Sequence, residues 1–246
     1  MESSSFLQKL GTCLVAGLVV AALLLVLGNS GSLAWFPPIV VFSLVGAALL
    51  AAVVFPVVWQ GLERRQRINS EQVYGWLYGI IRYCLAFNIA SFGWKKLFGL
   101  QFVVPAEVAA QPMNQQSGEW LTWYYFGYSV AFGLVVAGLQ IVGAGLLLFR
   151  RTLLLGVFVL LAVMGNLVLI NVFYHLNAGA LVQSVVLTVG LLFLLWTERA
   201  RVVALLLRAH SAVPTPTLAG STRLLLRLSA LGLSLLFVWY LASQLP

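Results

Sequence analysis

The chain has 246 residues, of which 62% are hydrophobic and only 8% charged. Soluble domains are usually about a quarter charged, so the composition excludes an ordinary soluble domain and points to an integral membrane protein. Lys and Arg outnumber Asp and Glu by 14 to 6, but they lie in short connections between apolar runs, which excludes nucleic acid as the partner and fits a membrane topology.

A helix of about 20 apolar residues crosses a bilayer, and seven runs qualify: 10–27, 39–59, 73–98, 121–149, 152–174, 178–197 and 222–243. The first resembles a signal peptide in having Lys9, an apolar stretch and "SLA" at 32–34. Its run is too long and another span follows at once, so it reads as an uncleaved helix. The connection 28–38 carries no charge, whereas 60–72 contains three arginines. The long connection 99–120 holds only Glu107 and Glu119, "RR" at 150–151 is a basic turn, 174–179 lacks Lys and Arg, and 198–227 has five arginines. Basic and non-basic connections alternate, which predicts a cytoplasmic N-terminus and a C-terminus on the opposite, periplasmic side of a bacterial cytoplasmic membrane. Arg223 and Arg227 fall in the first turns of the last run and must snorkel.

Between the last two runs, "TERARVVALLLRAHS" (197–211) places Arg201 and Arg208 on one helical face and Val202, Leu205 and Leu206 on another. It reads equally as an interfacial amphipathic helix or as an extension of the sixth span. A Pro/Thr/Gly-rich linker, 211–221, follows. Cys13 and Cys84 lie in different apolar runs and suggest neither a disulfide framework nor a metal motif. His175 and His210 fall in connections predicted on opposite sides, which argues against a haem held between them. No cofactor-binding motif occurs.

Polar residues divide the spans. The first two and the last contain almost none, which leaves them needing only lipid or partner subunits. The four runs between 73 and 197 carry Arg82, Asn88, Ser91, Lys95, Lys96, Gln140, Asn166, Asn171, Gln183 and Thr188. Such side chains turn toward one another or toward a wet cavity, which predicts a four-helix bundle with a polar interior. Arg82 and Lys96 lie within about 40° of one helical face and some 21 Å apart along it. Asn88, Ser91 and Lys95 form a second stripe, and Asn171, Tyr174 and His175 cluster at the end of the fifth run. Lysines near a helix end also snorkel to head groups, and asparagines also tie helices together. Arg82, about 13 Å into its run, reads as close to the midplane, where a cation requires a partner. None of the seven runs contains an Asp or Glu.

"RYCLAFNIASFGWKKLFGLQF" (82–102), "QP" (111–112), "WYYFGYSVAFGLVVAGLQIVGAGLLLFRRT" (123–152) and "LLGVFVLLAVMGNLVLINVFYHLN" (154–177) together resemble the DoxX-like membrane proteins of bacteria. The resemblance covers roughly 73–205 and implies a four-helix core. It matches Arg82 and Lys96 to the family's arginine and lysine. The family's usual glutamate is here Gln140, its aspartate is His175 and a following lysine is Gly179. Members are linked to quinone-coupled sulfur oxidation and to thiol or oxidant stress complexes, so the resemblance implies quinone as the candidate cofactor.

The resulting expectation is an all-α polytopic transmembrane helix bundle of about seven spans with a DoxX-like four-helix core. Residues 1–72 form two apolar helices and a basic loop, 73–197 the bundle, and 198–246 an interfacial segment, linker and final helix. The leading function is a non-catalytic integral membrane subunit or assembly partner of a larger bacterial, electron-transfer type complex, in contact with lipid and other membrane subunits. A quinone-linked oxidoreductase subunit and a small-solute transporter are the alternatives. Candidate polar-core or ligand-contacting residues are Arg82, Asn88, Lys96, Tyr128, Gln140, Asn166, Asn171, Tyr174 and His175.

Overall fold

The computed structural model describes residues 5–208 and 220–243. The chain divides into two compact units, Met1–Val203 and Ala204–Pro246, which are described separately. Among the described residues the regular structure is entirely helical. Helix α1 (Phe6–Leu27) is followed by α2 (Pro38–Arg64), α3 (Ser70–Leu97), the single turn α4 (Ala106–Ala109), α5 (Gly118–Tyr128), α6 (Val130–Leu147), α7 (Leu153–Phe173), α8 (Ala178–Thr197), α9 (Arg199–Leu207) and α10 (Gly220–Ser243).

Local chemistry sets these ends. Ser5 opens α1 with a capping box, its hydroxyl accepting from the Gln8 amide while the Gln8 side chain accepts from the Ser5 amide. Asn69, Ser117, Ser129 and Asn177 cap α3, α5, α6 and α8 in the same acceptor role. The α3 helix ends on Gly99, in the left-handed region at φ +67°, and the Leu100 amide returns to the Lys95 carbonyl. That is the glycine-terminated closure helices favour. His175 does the same for α7: it sits at φ +53°, and the Leu176 amide returns to the Asn171 carbonyl.

Six helices are long and apolar enough to cross a membrane, namely α1, α2, α6, α7, α8 and α10. The protein is an all-α polytopic membrane bundle. Two of the seven predicted spans differ in detail. The run 73–98 is the 28-residue α3, long enough to cross but held outside the apolar set by its polar residues. The run 121–149 is broken: Ser129 is extended (φ −120°, ψ 112°) and separates α5 from α6. A serine that caps the following helix cannot also continue the preceding one.

The core of the first unit draws on five helices. Ala16 and Val19 of α1 join Ile81, Leu85 and Ile89 of α3, Leu147 of α6, Leu160 of α7 and Leu187, Leu191 and Leu194 of α8 in one buried cluster. In this apolar cluster α3, α6, α7 and α8 pack together, and α1 adds a fifth helix. Small residues allow the approach: a Cβ on Gly17 would lie 2.4 Å from the Ala52 Cβ, and one on Gly93 3.1 Å from the Ala137 carbonyl oxygen. By contrast α2 packs chiefly on α1. Its exposed Ile39, Phe42, Leu50, Val53 and Val57 recur on one face and suit lipid.

The α1 helix begins four residues before the apolar run 10–27 and so takes in Lys9. Lys9 is buried, paired with Glu63 and bonded to Gln60, with Nζ 5.6 Å above the Trp59 ring. Ser70 donates to the other Glu63 oxygen, and Trp59 Nε1 donates to the Ser70 hydroxyl at 2.9 Å. This network fastens the start of α1 to the end of α2 and the start of α3.

At the far end of α8, Glu198 breaks the helix, so α9 is a separate element and not a continuation of α8. Glu198 accepts from the Tyr78 hydroxyl at 3.2 Å and from Arg201 at 3.0 Å. His210 and most of the linker 211–221 lie outside the described residues, as does the side chain of Arg223. In the second unit the last predicted span is the 24-residue α10.

Replacing Glu63 by Gln strands a buried cation, so E63Q should lose about 3 kcal/mol or more, while K9M/E63Q should recover most of that loss. Thermal unfolding in detergent checks this, and equal destabilisation in the single and double variants would refute it.

Candidate functional site

Arg82, buried on α3, donates from Nε to the Leu147 carbonyl at 3.1 Å and from Nη2 to the Leu148 carbonyl at 2.8 Å. These are terminal carbonyls of α6, which its own backbone leaves unpaired. Thr152 Oγ1 donates to the Leu146 carbonyl at 2.9 Å, so Arg82 and Thr152 together close the last turn. A guanidinium at a helix C-terminus also meets the negative end of the macrodipole. The Tyr78 and Tyr83 rings lie 5.9 and 5.6 Å from Cζ. Arg82 is the thirteenth of the 28 residues of α3, close to the middle of that helix, and its side chain reaches the end of α6, beside the Arg150–Arg151 turn.

Further along the same helix the arrangement is different. A partly open cavity of about 170 Å³ lies among α3, α5, α6, α7 and α8, comparable in volume with the ~150 Å³ cavities that accept a benzene ring. Phe92, Phe102, Trp123 and Phe126 form aromatic walls, and Met164, Leu167 and Leu187 add aliphatic surface. Polar groups converge on it: Lys96, Gln101, Glu119, Gln140, Asn171, Gln183 and Ser184. Lys96 Nζ donates to the Phe92 carbonyl at 3.5 Å, a long bond, and stands 5.6 Å from the Phe102 ring. Lys96 thus turns inward rather than snorkelling away. The Gln140 and Gln101 side-chain oxygens are buried with no hydrogen-bond partner.

The walls of this cavity are held by opposing constraints. Phe102 adopts φ +66°, a conformation that is rare for a bulky side chain. It is stacked on Phe126 at 5.0 Å and meets Trp123 edge-on at 6.0 Å. The start of α5 presses on the turn after α7, where a Cβ on Gly118 would lie 2.4 Å from the Tyr174 carbonyl oxygen, and Asn177 donates to Glu119 at 3.2 Å. On the far side, Asn171 donates to the Ala180 carbonyl at 3.0 Å and to Ser184 Oγ at 2.8 Å. Gln183 donates to Asn88 Oδ1 at 3.1 Å and to the Ala22 carbonyl at 3.3 Å, and Asn88 donates to the Cys84 carbonyl at 2.9 Å.

Of the residues singled out from sequence, Lys96, Gln140 and Asn171 line one cavity, and Asn88 supports it through Gln183. Arg82 belongs to the other end. Tyr128, Asn166, Tyr174 and His175 are exposed and do not join the cavity; Tyr174 and His175 form the closure of α7 instead. Ser91 is satisfied by the Phe87 carbonyl of its own helix at 2.8 Å, and Lys95 stands over the Phe92 ring. Sequence reasoning missed Gln101, Phe102, Glu119 and Trp123, because 99–120 reads as a connection and carries no periodicity that aims side chains inward. Among the described residues, no group of three or more His, Cys, Asp or Glu is placed to hold a metal. For a planar conjugated cyclic dione such as a quinone, the flat apolar walls suit the ring and Lys96 suits a carbonyl oxygen, so the residues present fit that head group.

The Arg82→Leu variant should lose about 2–4 kcal/mol of stability by leaving the Leu147 and Leu148 carbonyls unpaired, whereas R82K should lose less. Melting curves in detergent measure both, and an R82L variant as stable as wild type would overturn the capping role.

No protein-family model matches the chain, and no solved structure matches it. It is 36% identical over 122 residues to "Uncharacterized protein YwoB" of Bacillus subtilis (strain 168), the match covering 49% of this chain and 75% of that protein. By that similarity, the chain belongs to the same family as YwoB.

Proposed function

We propose that this chain is an integral membrane subunit of a larger bacterial membrane complex, built on a DoxX-like bundle that offers a polar socket to a group supplied from outside the chain. The observation that carries this reading is the cavity, in which the Gln140 and Gln101 oxygens lack partners and Lys96 has one long hydrogen bond. Each buried polar group left unpaired costs about 1–3 kcal/mol. An incoming group that completes the set offsets that cost, whether it is a side chain of another subunit or a small ligand. The gathering of Arg64, Arg65, Arg67, Arg150, Arg151, Arg199 and Arg201 at the ends of α2, α6 and α8 supports a cytoplasmic face there. The cavity then lies toward the periplasmic side of the cytoplasmic membrane.

The aromatic walls favour one ligand-bound version of this reading, a quinone-linked subunit in which Lys96 donates to a ring carbonyl. Quinone supplies two-electron redox chemistry when bound. The chain's own part is to bind and orient the ring, exclude water with Phe102, Trp123 and Phe126, and hold a proton donor at Lys96 Nζ. Neither reading draws on Arg82, whose donors are directed at α6.

Extraction of the chain from its native membrane in mild detergent, followed by mass spectrometry of co-eluting proteins and quinones, tests the proposal. Other integral membrane subunits should co-elute. Retained quinone that falls several-fold in K96M but not in R82K selects the second version. A single monodisperse chain carrying neither partner nor quinone would refute both.

A further inference from the structure

A larger groove lies at the basic end, away from the cavity just described. It holds about 1070 Å³ between the start of α1, the start of α3 and the end of α8. Its floor is apolar, with Leu7, Gly11, Phe193 and Trp196. Leu7 and Trp196 are 76% and 68% exposed, an open apolar surface of the kind that suits acyl chains.

The charges on its rim are unevenly satisfied. Glu63 is engaged by Lys9 and Ser70. The Glu71 carboxylate and the Arg199 guanidinium have no ion-pair partner among the described residues. Arg199 is held in place by a 3.3 Å hydrogen bond to the Trp196 carbonyl and by the Trp196 ring, 5.3 Å from Cζ. Among the described residues the groove therefore carries one free anion and one oriented cation above an apolar floor.

We infer that this groove binds an amine-bearing zwitterionic phospholipid, its ammonium on Glu71 and its phosphate on Arg199. The α1 helix begins at the groove, at Ser5, with no acidic residue in its first turn, and its positive dipole end adds to Arg199 in favouring phosphate; the α3 dipole end carries Glu71 itself. A purely anionic head group would satisfy Arg199 but leave Glu71 facing added negative charge. A choline head group matches the charges but has no N–H to donate to the carboxylate. The primary ammonium of phosphatidylethanolamine satisfies both ends, with its chains running onto Leu7, Phe193 and Trp196.

The test exposes the purified full chain, stripped of lipid in detergent, to an equimolar mixture of dioleoyl phosphatidylethanolamine, phosphatidylcholine and phosphatidylglycerol, and counts retained lipids by native mass spectrometry. Wild type should retain the ethanolamine lipid about two- to fivefold over each of the others, the range expected of exposed ion pairs. In E71Q the preference over phosphatidylcholine should vanish, and R199Q should retain less of all three. Equal retention by wild type, dominance of phosphatidylglycerol, or an ethanolamine preference intact in both variants would overturn the inference. The wild-type comparison needs no variant, and Glu71 and Arg199 are both exposed, so unchanged melting curves confirm that the substitutions leave the fold intact.

Discussion

A guanidinium surrounded by hydrocarbon must find acceptors, and the terminal carbonyls of α6 supply them. A helix that ends inside a bundle has the complementary deficit, because its last carbonyls have no amides of their own and little water to turn to. Arg82 answers both needs at once, with Nε on Leu147 and Nη2 on Leu148. The contact fixes the register of α3 against α6, two helices that pack closely along their lengths. It also accounts for the tight Arg150–Arg151 turn, which the chain enters as soon as α6 is closed. Tyr78 extends the tie to Glu198, and through it to Arg201 of α9.

The other buried cation is handled in a different way. Lys9 has a true counter-ion, Glu63, delivered by the last turn of α2. The two solutions share one end of the bundle and bind four elements there: α1 and α2 through Lys9, and α3 and α6 through Arg82. The other end lacks such ties. Its cavity keeps a lysine and two amide oxygens that the chain itself does not satisfy, and one of its walls is α5, cut from α6 at Ser129. A rigid basic end and an incompletely paired opposite end are what a scaffold with one receptive site requires.

Much of this was legible in the residues. Apolar run length located α1, α2, α7 and α8 to within a few positions, because a bilayer leaves a chain few options besides helices. The alternation of basic connections anticipated which helix ends gather together. Polar content set Lys96, Gln140 and Asn171, which line the cavity, apart from the apolar α2. Depth along a helix was less legible. Arg82 read as a midplane residue, but nothing in the run 73–98 shows that α6 stops at its level and supplies its acceptors. The break at Ser129 was not legible within the run 121–149, since a hydroxyl is as readily satisfied by its own helix as used to cap the next. Lys9 and Glu63 are 54 positions apart, so their pairing required tertiary geometry. His175, placed among the ligand candidates by its neighbours, serves the backbone: it occupies the left-handed position that ends α7.

Arg82 and Lys96 thus do unlike things on one helix. Arg82 completes a fold, and Lys96 faces a space that the fold leaves open. The most direct measurement of this distinction is an experimental structure of the protein extracted with its native lipids and partners. The account predicts the Arg82 guanidinium on the Leu147 and Leu148 carbonyls, with no carboxylate from any subunit in ion-pair contact, and density for a non-native group beside Lys96 and Gln140. An Arg82 turned away from α6 to meet a partner's carboxylate, or a cavity closed by repacking of Lys96 and Gln140 against each other, would contradict it.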